Sequence, residues 1–281
     1  MYLVTNQHDW VKLRNGVFPE NSRIGFVPTM GALHYGHQTL IERSVAENDV
    51  TVLSIFVNPT QFNDPSDLVN YPRTLGADME LAERAGCQVV FLPSINEMYG
   101  ADVTSVRADY GVLTSTLEGE HRPGHFDGMV TIVRKLLLAI APHVAYFGEK
   151  DFQQLSIVKE LVRREQLPVK IEPCKLIREA SGLALSSRNV RLSDEGRKQA
   201  ALLSEVLFYI ESQAHLKMPD ELIQQGKEML DREGIQTDYL TIVNAQTFEP
   251  VMAWMDAEMR ALVAAYVEGV RLIDNIALPQ R

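Results

Sequence analysis

The ten residues from Pro28 to His37 are the strongest candidates for chemistry in the chain. They read Pro-Thr-Met-Gly-Ala-Leu-His-Tyr-Gly-His and join a short apolar run to a stretch with apolar residues at helical spacing. Gly31 and Gly36 let the backbone approach an anion without a Cβ in the way. The start of a helix offers free N–H groups and the positive end of its dipole. The pattern therefore predicts a phosphate site, which we expect to be lined by Met30, Gly31, Ala32, Leu33, His34, Tyr35, Gly36 and His37.

His34 and His37 lie three positions apart, so one helical turn can aim both rings at one point. Each ring can donate hydrogen bonds to phosphate oxygens as charge develops on a leaving group. The alternatives are a metal-binding pair or two unrelated surface histidines. Because no Glu stands at the spacing of a zinc protease motif, zinc is the weaker interpretation. We favour nucleotide phosphate.

Two neutral amides, Asn58 and Gln61, follow the next apolar run, Val50–Val57. The carboxyl ends of parallel strands share one edge of a sheet, so these amides are expected beside the phosphate site. They can bind hydroxyl and carbonyl groups without adding charge. Spacing alone leaves open that they only cap a turn around Pro59.

A third group, Gly148, Glu149, Lys150 and Asp151, follows the run Val144–Phe147. Lys150 is suited to a phosphate at the edge of the sheet, and Gln154 lies one helical turn further along. A charged loop is commonly solvated surface, but its position after a strand favours a functional site.

A fourth group, Leu185, Ser186, Ser187 and Arg188, places two hydroxyls beside a guanidinium, which can bind phosphate oxygens bidentately. An exposed turn is the competing interpretation. The segment could close over a nucleotide if it begins a second domain.

Asp78 could lie near a magnesium ion, although a single acid is commonly just solvated.

The elements that would position these residues alternate between strand and helix over the first two thirds of the chain. This alternation predicts an α/β domain with a parallel sheet and right-handed crossovers. The last hundred residues instead show two helices and then three strand-like runs, which predicts a smaller α+β domain. We expect the domains to span residues 1–175 and 176–281. The predicted elements are strands at 24–27, 50–57, 89–92, 144–147, 169–172, 239–243, 260–266 and 270–276, and helices at 77–85, 128–141 and 152–165 and from 193 and 219.

Composition excludes several classes of protein. The 281 residues carry a net charge of −10 and show no basic run, which argues against nucleic acid as a partner. No apolar run approaches the roughly 20 residues needed to span a bilayer, and the first residues do not resemble a signal peptide. Cys87 and Cys174 are far apart and fit buried thiols in a reducing compartment. We expect a cytoplasmic enzyme acting on a small polyanion.

Taken together, the motifs closely resemble those of the pantothenate synthetase (pantoate–β-alanine ligase, AMP-forming) family of the HxGH nucleotidyltransferase superfamily. They occur in the family's order over about residues 24 to 192. The motifs are Pro-Thr-Met-Gly-Ala-Leu-His-x-Gly-His, Phe-Val-Asn-Pro-x-Gln-Phe, Tyr-Pro-Arg-Thr, Arg-Pro-Gly-His-Phe, Gly-Glu-Lys-Asp-x-Gln-Gln and Ser-Ser-Arg-Asn.

This resemblance implies a Rossmann-like first domain, a second domain acting as a lid, and a two-step reaction. ATP and pantoate would give a pantoyl adenylate and pyrophosphate, and β-alanine would then displace AMP to form pantothenate. Mg²⁺ would accompany ATP, and a homodimer is implied.

The resemblance also implies residue roles. His34, His37, Lys150 and Arg188 would act on the phosphates, with His37 as proton donor. Gln61 and Gln154 would hold pantoate, with Asn58 in the same substrate site. The ATP contacts implied are residues 30–37, Gly148 to Asp151, Ile177 and Leu185 to Arg188.

Two positions depart from the family pattern. Asp127 stands where an Arg is common, and Ala77 stands where a second acid often precedes Asp78. Asp127 would still suit a helix start, whereas Ala77 leaves fewer carboxylates for a metal.

Three other functions share part of the signal. A nucleotidylyltransferase would leave AMP on its product and does not need the Gln61–Gln154 pair. A class I aminoacyl-tRNA synthetase has a similar histidine motif, but neither its Lys-Met-Ser-Lys-Ser segment nor a basic surface is visible. A nucleotide sensor would bind ATP without turnover, and it has no need of Lys150, His37 and Arg188.

Overall fold

The structure is a computed structural model that describes residues 1–280, and it contains a parallel sheet followed by a separate antiparallel sheet. Within those residues the strands are β1 (Tyr2–Val4), β2 (Ile24–Thr29), β3 (Val50–Ile55), β4 (Val89–Phe91), β5 (Val144–Gly148), β6 (Lys170–Cys174), β7 (Gln236–Asn244), β8 (Met259–Val267) and β9 (Val270–Ala277). The α-helices are α1 (Gln7–Val17), α2 (Tyr35–Glu47), α3 (Pro65–Asn70), α4 (Leu75–Arg84), α5 (Ile95–Tyr99), α6 (Val112–Ser115), α7 (Glu118–His121), α8 (His125–Ile140), α9 (Phe152–Glu165), α10 (Asp194–Gln213) and α11 (Pro219–Arg232). Short 3-10 turns lie at Pro59–Gln61, Glu149–Asp151 and Ser187–Arg191.

The predicted α/β class of the first domain is confirmed. Every residue of β3 is buried, as expected of a parallel strand with helices on both faces. Gly86, just after α4, has a φ of +82°, a left-handed conformation that commonly ends a helix. The first two elements, β1 and α1, were not predicted, because three residues are too few to show periodicity and α1 is only weakly amphipathic.

The parallel sheet has the strand order β1-β4-β3-β2-β5-β6. Along the chain, β2, β3 and β4 progress towards one edge, whereas β5 and β6 lie on the other side of β2. The order therefore reverses between β2 and β5, and such a switch point is where open α/β sheets bind ligands.

The smaller α+β domain is also confirmed. The strands β7, β8 and β9 form an antiparallel sheet, and α10 packs against it through a continuous apolar face. Ser193 caps α10 as predicted, because its side chain accepts a hydrogen bond from the N–H of Gly196. Pro219 opens α11, also as predicted.

No element was predicted between β4 and α8, but this stretch contains three short helices, α5, α6 and α7. Asp127 stands in the first turn of α8, and its Oδ1 accepts a 2.8 Å hydrogen bond from the N–H of Ala108. Asp127 therefore anchors the segment before α6. None of the helices within residues 1–280 is long and apolar enough to cross a membrane.

Candidate active site

A crevice opens at the switch point because β2 and β5 stop pairing before either strand ends. Their register covers only Gly25 opposite Val144 and Phe26 opposite Ala145. Pro28 has no N–H group to donate to a neighbouring strand, which favours this separation. The ends of both strands line one cavity. The predicted residues that line it come from five segments: Met30, His34, Gly36, His37, Asn58, Gln61, Gly148, Lys150, Asp151, Gln154, Ile177, Leu185, Ser186, Ser187 and Arg188.

His34 and His37 cap the first turn of α2 reciprocally. The Nδ1 atom of His34 accepts a 3.1 Å hydrogen bond from the N–H of Gly36, and the Nδ1 atom of His37 accepts one of 3.3 Å from the N–H of His34. The two ring centroids are 4.1 Å apart. Because both Nδ1 atoms are acceptors, each neutral ring carries its proton on Nε2.

Both histidines are neutral near pH 7. Burial, followed by the charge of Lys150, lowers the pKa of His34 to about 4. Burial, followed by electrostatic interaction with the His34 ring and with the charge of Lys150, lowers the pKa of His37 well below its usual range. The site therefore offers two Nε2–H donors without two fixed positive charges.

The expectation of free helix N–H groups is wrong for two of them. The N–H of Gly36 is taken by the His34 ring, and the N–H of His37 donates to the His34 carbonyl at 2.8 Å. The imidazoles therefore replace these backbone groups as the available donors at the start of α2.

Asp78 holds the loop before α2. Its Oδ2 accepts from the N–H of Ala32 at 3.0 Å, and its Oδ1 accepts from Leu33 at 2.8 Å and from Thr74 Oγ1 at 3.0 Å. The side chain is only 2% exposed. Gly31, at φ +80°, passes so close that a Cβ would lie 3.0 Å from Asp78 Oδ2.

These contacts correct the predicted role of Asp78. Its oxygens are used by backbone and hydroxyl donors, and no group of three His, Cys, Asp or Glu side chains within residues 1–280 is arranged to hold a metal ion. Asp78 therefore supports the loop, and its prediction as a magnesium ligand has no support in this arrangement.

Asn58 and Gln61 are placed together at the end of β3, and both are buried. Asn58 Nδ2 donates to Gln61 Oε1 at 3.1 Å, while Asn58 Oδ1 accepts from Tyr99 Oη. Because the Gln61 oxygen is occupied, its Nε2 group is the part available to a ligand, and it lies 3.2 Å from Met30 Sδ. The structure thus combines the two interpretations of this pair, since Asn58 fixes the turn and Gln61 faces the cavity.

Lys150 and Gln154 reach the same cavity from the end of β5 and the start of α9. The Lys150 side chain is 19% exposed, and its Nζ lies 3.7 Å from Asp151 Oδ2. The structure therefore places both residues in the cavity that His34 and His37 line.

Arg188 lies in the cavity wall but is paired with a carboxylate that was not predicted. Its Nη2 lies 2.7 Å from Asp67 Oδ2, and Arg191 Nη1 lies 2.9 Å from Asp67 Oδ1. The adjacent Ser187 donates from Oγ to the Ala32 carbonyl at 2.9 Å, which ties this segment to the first loop.

Five of the predicted ATP contacts lie outside the cavity wall. The loop from Gly31 to Leu33 is fixed by backbone hydrogen bonds to the side chains of Asp78 and Ser187. Tyr35 is 58% exposed, and the Glu149 carboxylate faces Arg260 at 3.5 Å.

Several supporting residues could not be recognised from local sequence. A buried carboxylate, Glu118, accepts from Arg271 Nη1 and Nη2 at 2.8 Å each and so joins the two domains. Burial alone would raise the pKa of Glu118, but Arg271 and then Arg122 hold it at about 2. Asn275 of β9 reaches the turn that carries Lys150. The contacts of Glu118 with Arg271 and of Asn275 with this turn join residues more than a hundred positions apart. Of these supporting residues only Arg122, four positions from Glu118, lies in a motif that the sequence showed, Arg-Pro-Gly-His-Phe.

A parallel sheet with a crevice at its switch point, lined by imidazoles, amides and a lysine, defines the class of this protein as an α/β enzyme that binds ligands at the carboxyl edge of its sheet. Residues 3–277 match the family model described as pantoate-beta-alanine ligase. The chain therefore belongs to the pantoate–β-alanine ligase family.

Similar proteins cover almost the whole chain. The pantothenate synthetase of Bacteroides fragilis (strain YCH46) is 46% identical over 259 residues, or 92% of each chain. That of Cytophaga hutchinsonii is 45% identical over 265 residues, or 92% of this chain and 93% of its own.

Solved structures of the family have the same fold. The crystal structure of pantothenate synthetase from Thermus thermophilus matches with a TM-score of 0.91 and 41% identity, covering 98% of this chain and 99% of that one. The pantoate–β-alanine ligase of Francisella tularensis, solved in complex with beta-gamma ATP and β-alanine, matches with a TM-score of 0.83 and 36% identity, covering 98% and 97%.

Proposed function

We propose that this chain condenses pantoate with β-alanine to form pantothenate at the expense of ATP, through a pantoyl adenylate, with release of AMP and pyrophosphate. The observation that carries the proposal is the meeting of His34, His37, Gln61, Lys150 and Gln154 in one cavity at the switch point of a family member. ATP and β-alanine are the ligand types of the Francisella tularensis structure.

In the first step the pantoate carboxylate attacks the α-phosphorus of ATP. A bond forms between the carboxylate oxygen and this phosphorus, and the bond to the pyrophosphate oxygen breaks. Carboxylate and triphosphate repel each other, so donors must stabilise the charge that develops. We assign this task to Lys150 Nζ and to the Nε2–H groups of His34 and His37.

The phosphates also change what His37 can do. In the free protein the pKa of His37 lies well below its usual range because of burial and nearby positive charge. A bound polyanion opposes the second effect and raises the affinity of the ring for a proton. His37 can then pass a proton to the leaving pyrophosphate, the role that the family resemblance implies.

Gln61 and Gln154 are assigned to pantoate. The available Nε2 group of Gln61 can donate to a carboxylate or hydroxyl oxygen, and Gln154 can bind from the opposite strand end. Because both amides are uncharged, they hold the acid without weakening its carboxylate as a nucleophile.

In the second step the free amine of β-alanine attacks the acyl carbon of the adenylate, and AMP leaves with the bonding electrons of the acyl–oxygen bond. The attacking nitrogen loses one proton to solvent as the amide forms. Water would attack the same carbon. The inner wall formed by Met129, Ile132, Val133 and Leu136 of α8 is apolar and limits the water near this bond.

We assign the nucleoside side of the cavity to Ile177 and to Leu185 through Arg188. Arg188 would exchange its Asp67 partner for phosphate oxygens when ATP binds. We also propose a domain boundary near residue 176, just after β6, so that residues 176–281 form a lid over the nucleotide.

Mg²⁺ would accompany ATP as part of the substrate. Since the oxygens of Asp78 support the loop, the ion would be held mainly by phosphate oxygens and water, as is common for Mg²⁺ at nucleotide sites. The partly exposed carboxylate of Asp151, beside Lys150, is the acid best placed to touch its water shell.

A cytoplasmic homodimer completes the proposal. Val103 and Val106 are 44% and 72% exposed on the segment that Asp127 anchors, and an exposed apolar segment favours association with a second copy.

The deciding experiment is an assay for AMP release with ATP, pantoate and β-alanine together and with each omitted in turn. We expect AMP and pantothenate in equal amounts only when all three are present. Equal release of AMP with and without β-alanine would overturn the proposal. A stable adenylylated product would identify a nucleotidylyltransferase, and ATP binding without turnover would identify a sensor.

A further inference from the structure

Asn275 of β9 crosses from the C-terminal domain to the turn that carries Lys150. Its Nδ2 donates to the carbonyl of Glu149 at 3.0 Å and to the carbonyl of Lys150 at 2.9 Å. An amide nitrogen has two hydrogens, so one side chain satisfies two consecutive backbone acceptors. The side chain is only 4% exposed, and the contact is therefore shielded from competing water.

The orientation of this amide is fixed by Arg260 of β8. Arg260 Nη1 lies 2.7 Å from Asn275 Oδ1, and a guanidinium can only donate. The amide oxygen must face Arg260, which turns the NH₂ group towards the two carbonyls. Arg260 is itself held, with its Cζ 3.9 Å from the centre of the Phe152 ring and its Nη2 3.5 Å from Glu149 Oε2.

The turn held in this way is short. Glu149–Asp151 forms a single 3-10 turn between β5 and α9, and Lys150 is its central residue. Fixing the carbonyls of Glu149 and Lys150 leaves the Lys150 backbone little freedom. The direction in which its side chain enters the cavity is thereby set from the other domain.

We propose that Asn275 is a positioning residue that holds Lys150 in place for the phosphates of ATP. This inference rests on the proposed function, because it needs Lys150 to meet ATP. It also gives the C-terminal domain a second task besides covering the nucleotide, namely to complete the phosphate side of the cavity through β9.

The two half-reactions should depend on Asn275 differently. Lys150 opposes the charge of the triphosphate while the adenylate forms. Once pyrophosphate has left, the attack of β-alanine no longer involves the phosphates that Lys150 holds. A loss of alignment should therefore slow adenylate formation and spare amide formation, whereas general damage to the fold would slow both.

The test compares Asn275→Ala with the intact protein. Pantoate-dependent exchange of pyrophosphate into ATP reports the first half-reaction. Pantothenate formed on adding β-alanine to enzyme preloaded with ATP and pantoate reports the second. We expect the KM for ATP to rise and exchange to fall on the order of 100-fold, as for other misplaced catalytic groups, with the second half-reaction unchanged.

Gln199→Ala is the matched control. The Gln199 amide also donates to a backbone carbonyl, that of Glu233 at 2.7 Å, but both groups lie within the C-terminal domain and away from the cavity. We expect wild-type exchange and KM for ATP in this variant.

Arg260→Met provides a second variant in case Asn275→Ala does not fold. It keeps apolar contact with Phe152 but frees the Asn275 amide to rotate. We therefore expect a rise in the KM for ATP and a fall in exchange that are smaller than in Asn275→Ala. A folded variant of either kind with wild-type exchange and KM for ATP would overturn the inference, as would an equal loss in both half-reactions. If the wild-type protein itself shows no exchange with pantoate, the proposed function fails instead.

Discussion

The imidazole rings of His34 and His37 each accept a hydrogen bond from a backbone N–H at the start of α2. The ring of His34 caps the helix in which His37 stands, and the ring of His37 accepts the N–H of His34. Each contact engages Nδ1, so the pair fixes its own tautomers and leaves two Nε2–H donors in the cavity wall. The spacing of three is therefore needed for structure as well as for binding.

This relationship predicts that the two histidines act as a unit. Replacing a preorganised donor costs roughly 100-fold to 1,000-fold in rate, so we expect His37→Ala to lower AMP release by about this factor. Because His37→Ala also frees the His34 backbone, the double variant should lose much less than the product of the single losses. Steady-state rates of the four proteins test this, and strictly multiplicative losses would contradict it.

Gly128 is where α8 approaches the Pro59–Gln61 turn. A Cβ there would collide with the carbonyl of Thr60 and lie 2.5 Å from the N–H nitrogen of Gln61. We expect Gly128→Ala to lower the free energy of unfolding by about 1–3 kcal/mol and to raise the KM for pantoate by displacing Gln61. Urea unfolding and initial rates measure the two effects.

Gly76 supplies the control for that substitution. It lies in α4 with open space where a Cβ would stand. Gly76→Ala should raise stability by roughly 0.5–1 kcal/mol, because alanine loses less conformational freedom in a helix. A similar loss of stability in both variants would show that the close contact at Gly128 does not matter.

Gln154 is expected to discriminate between the substrates. It lines the same cavity as Gln61 and has no hydrogen bond to another side chain within residues 1–280, so its truncation leaves no other side chain without its partner. Gln154→Ala should raise the KM for pantoate on the order of 10-fold or more, as expected for loss of a buried hydrogen bond, while ATP binding changes little. Equal weakening of pantoate and ATP would contradict the assignment.

Much of this architecture was predictable because periodicity and strand–helix alternation are local properties of the chain. The helix Phe152–Glu165 has the predicted bounds, and the three segments that follow β2, β3 and β5 line one cavity, as a parallel sheet favours. The groups that hold those segments were not predictable. Asn275 looks like any polar residue in a strand, and its role depends on which loop the folded chain brings beside it.

The error at Asp78 has a similar cause. One acid near a phosphate motif suggests a metal ligand, and sequence cannot show that two N–H groups will occupy the carboxylate. Likewise, Arg188 was matched to phosphate, but the intervening Asp67 comes from α3, a six-residue helix too short to show a pattern.

Protonation of buried histidines should limit the stability of the protein in acid. His125 donates from Nδ1 to the carbonyl of Gln61 at 2.8 Å and accepts at Nε2 from Arg122 at 3.1 Å. Burial and then the charge of Arg122 lower its pKa to about 3. The unfolded chain binds this proton below about pH 6.5, whereas the folded protein does not until about pH 3, so stability is complete above pH 6.5 and falls as the pH drops.

The expected slope for His125 alone is about 1.4 kcal/mol per pH unit. Between about pH 7.5 and about pH 4.5, His125→Asn should therefore lose roughly 2–3 kcal/mol less unfolding free energy than the wild type, although it is less stable at neutral pH. Urea unfolding at both pH values measures the difference. His8→Asn, at an exposed histidine of α1, controls for the loss of one imidazole. If the wild type and His125→Asn lose the same free energy over this range, the neutral His125 is not a source of the acid sensitivity, and the loss must come from His34, His37 or the carboxylates.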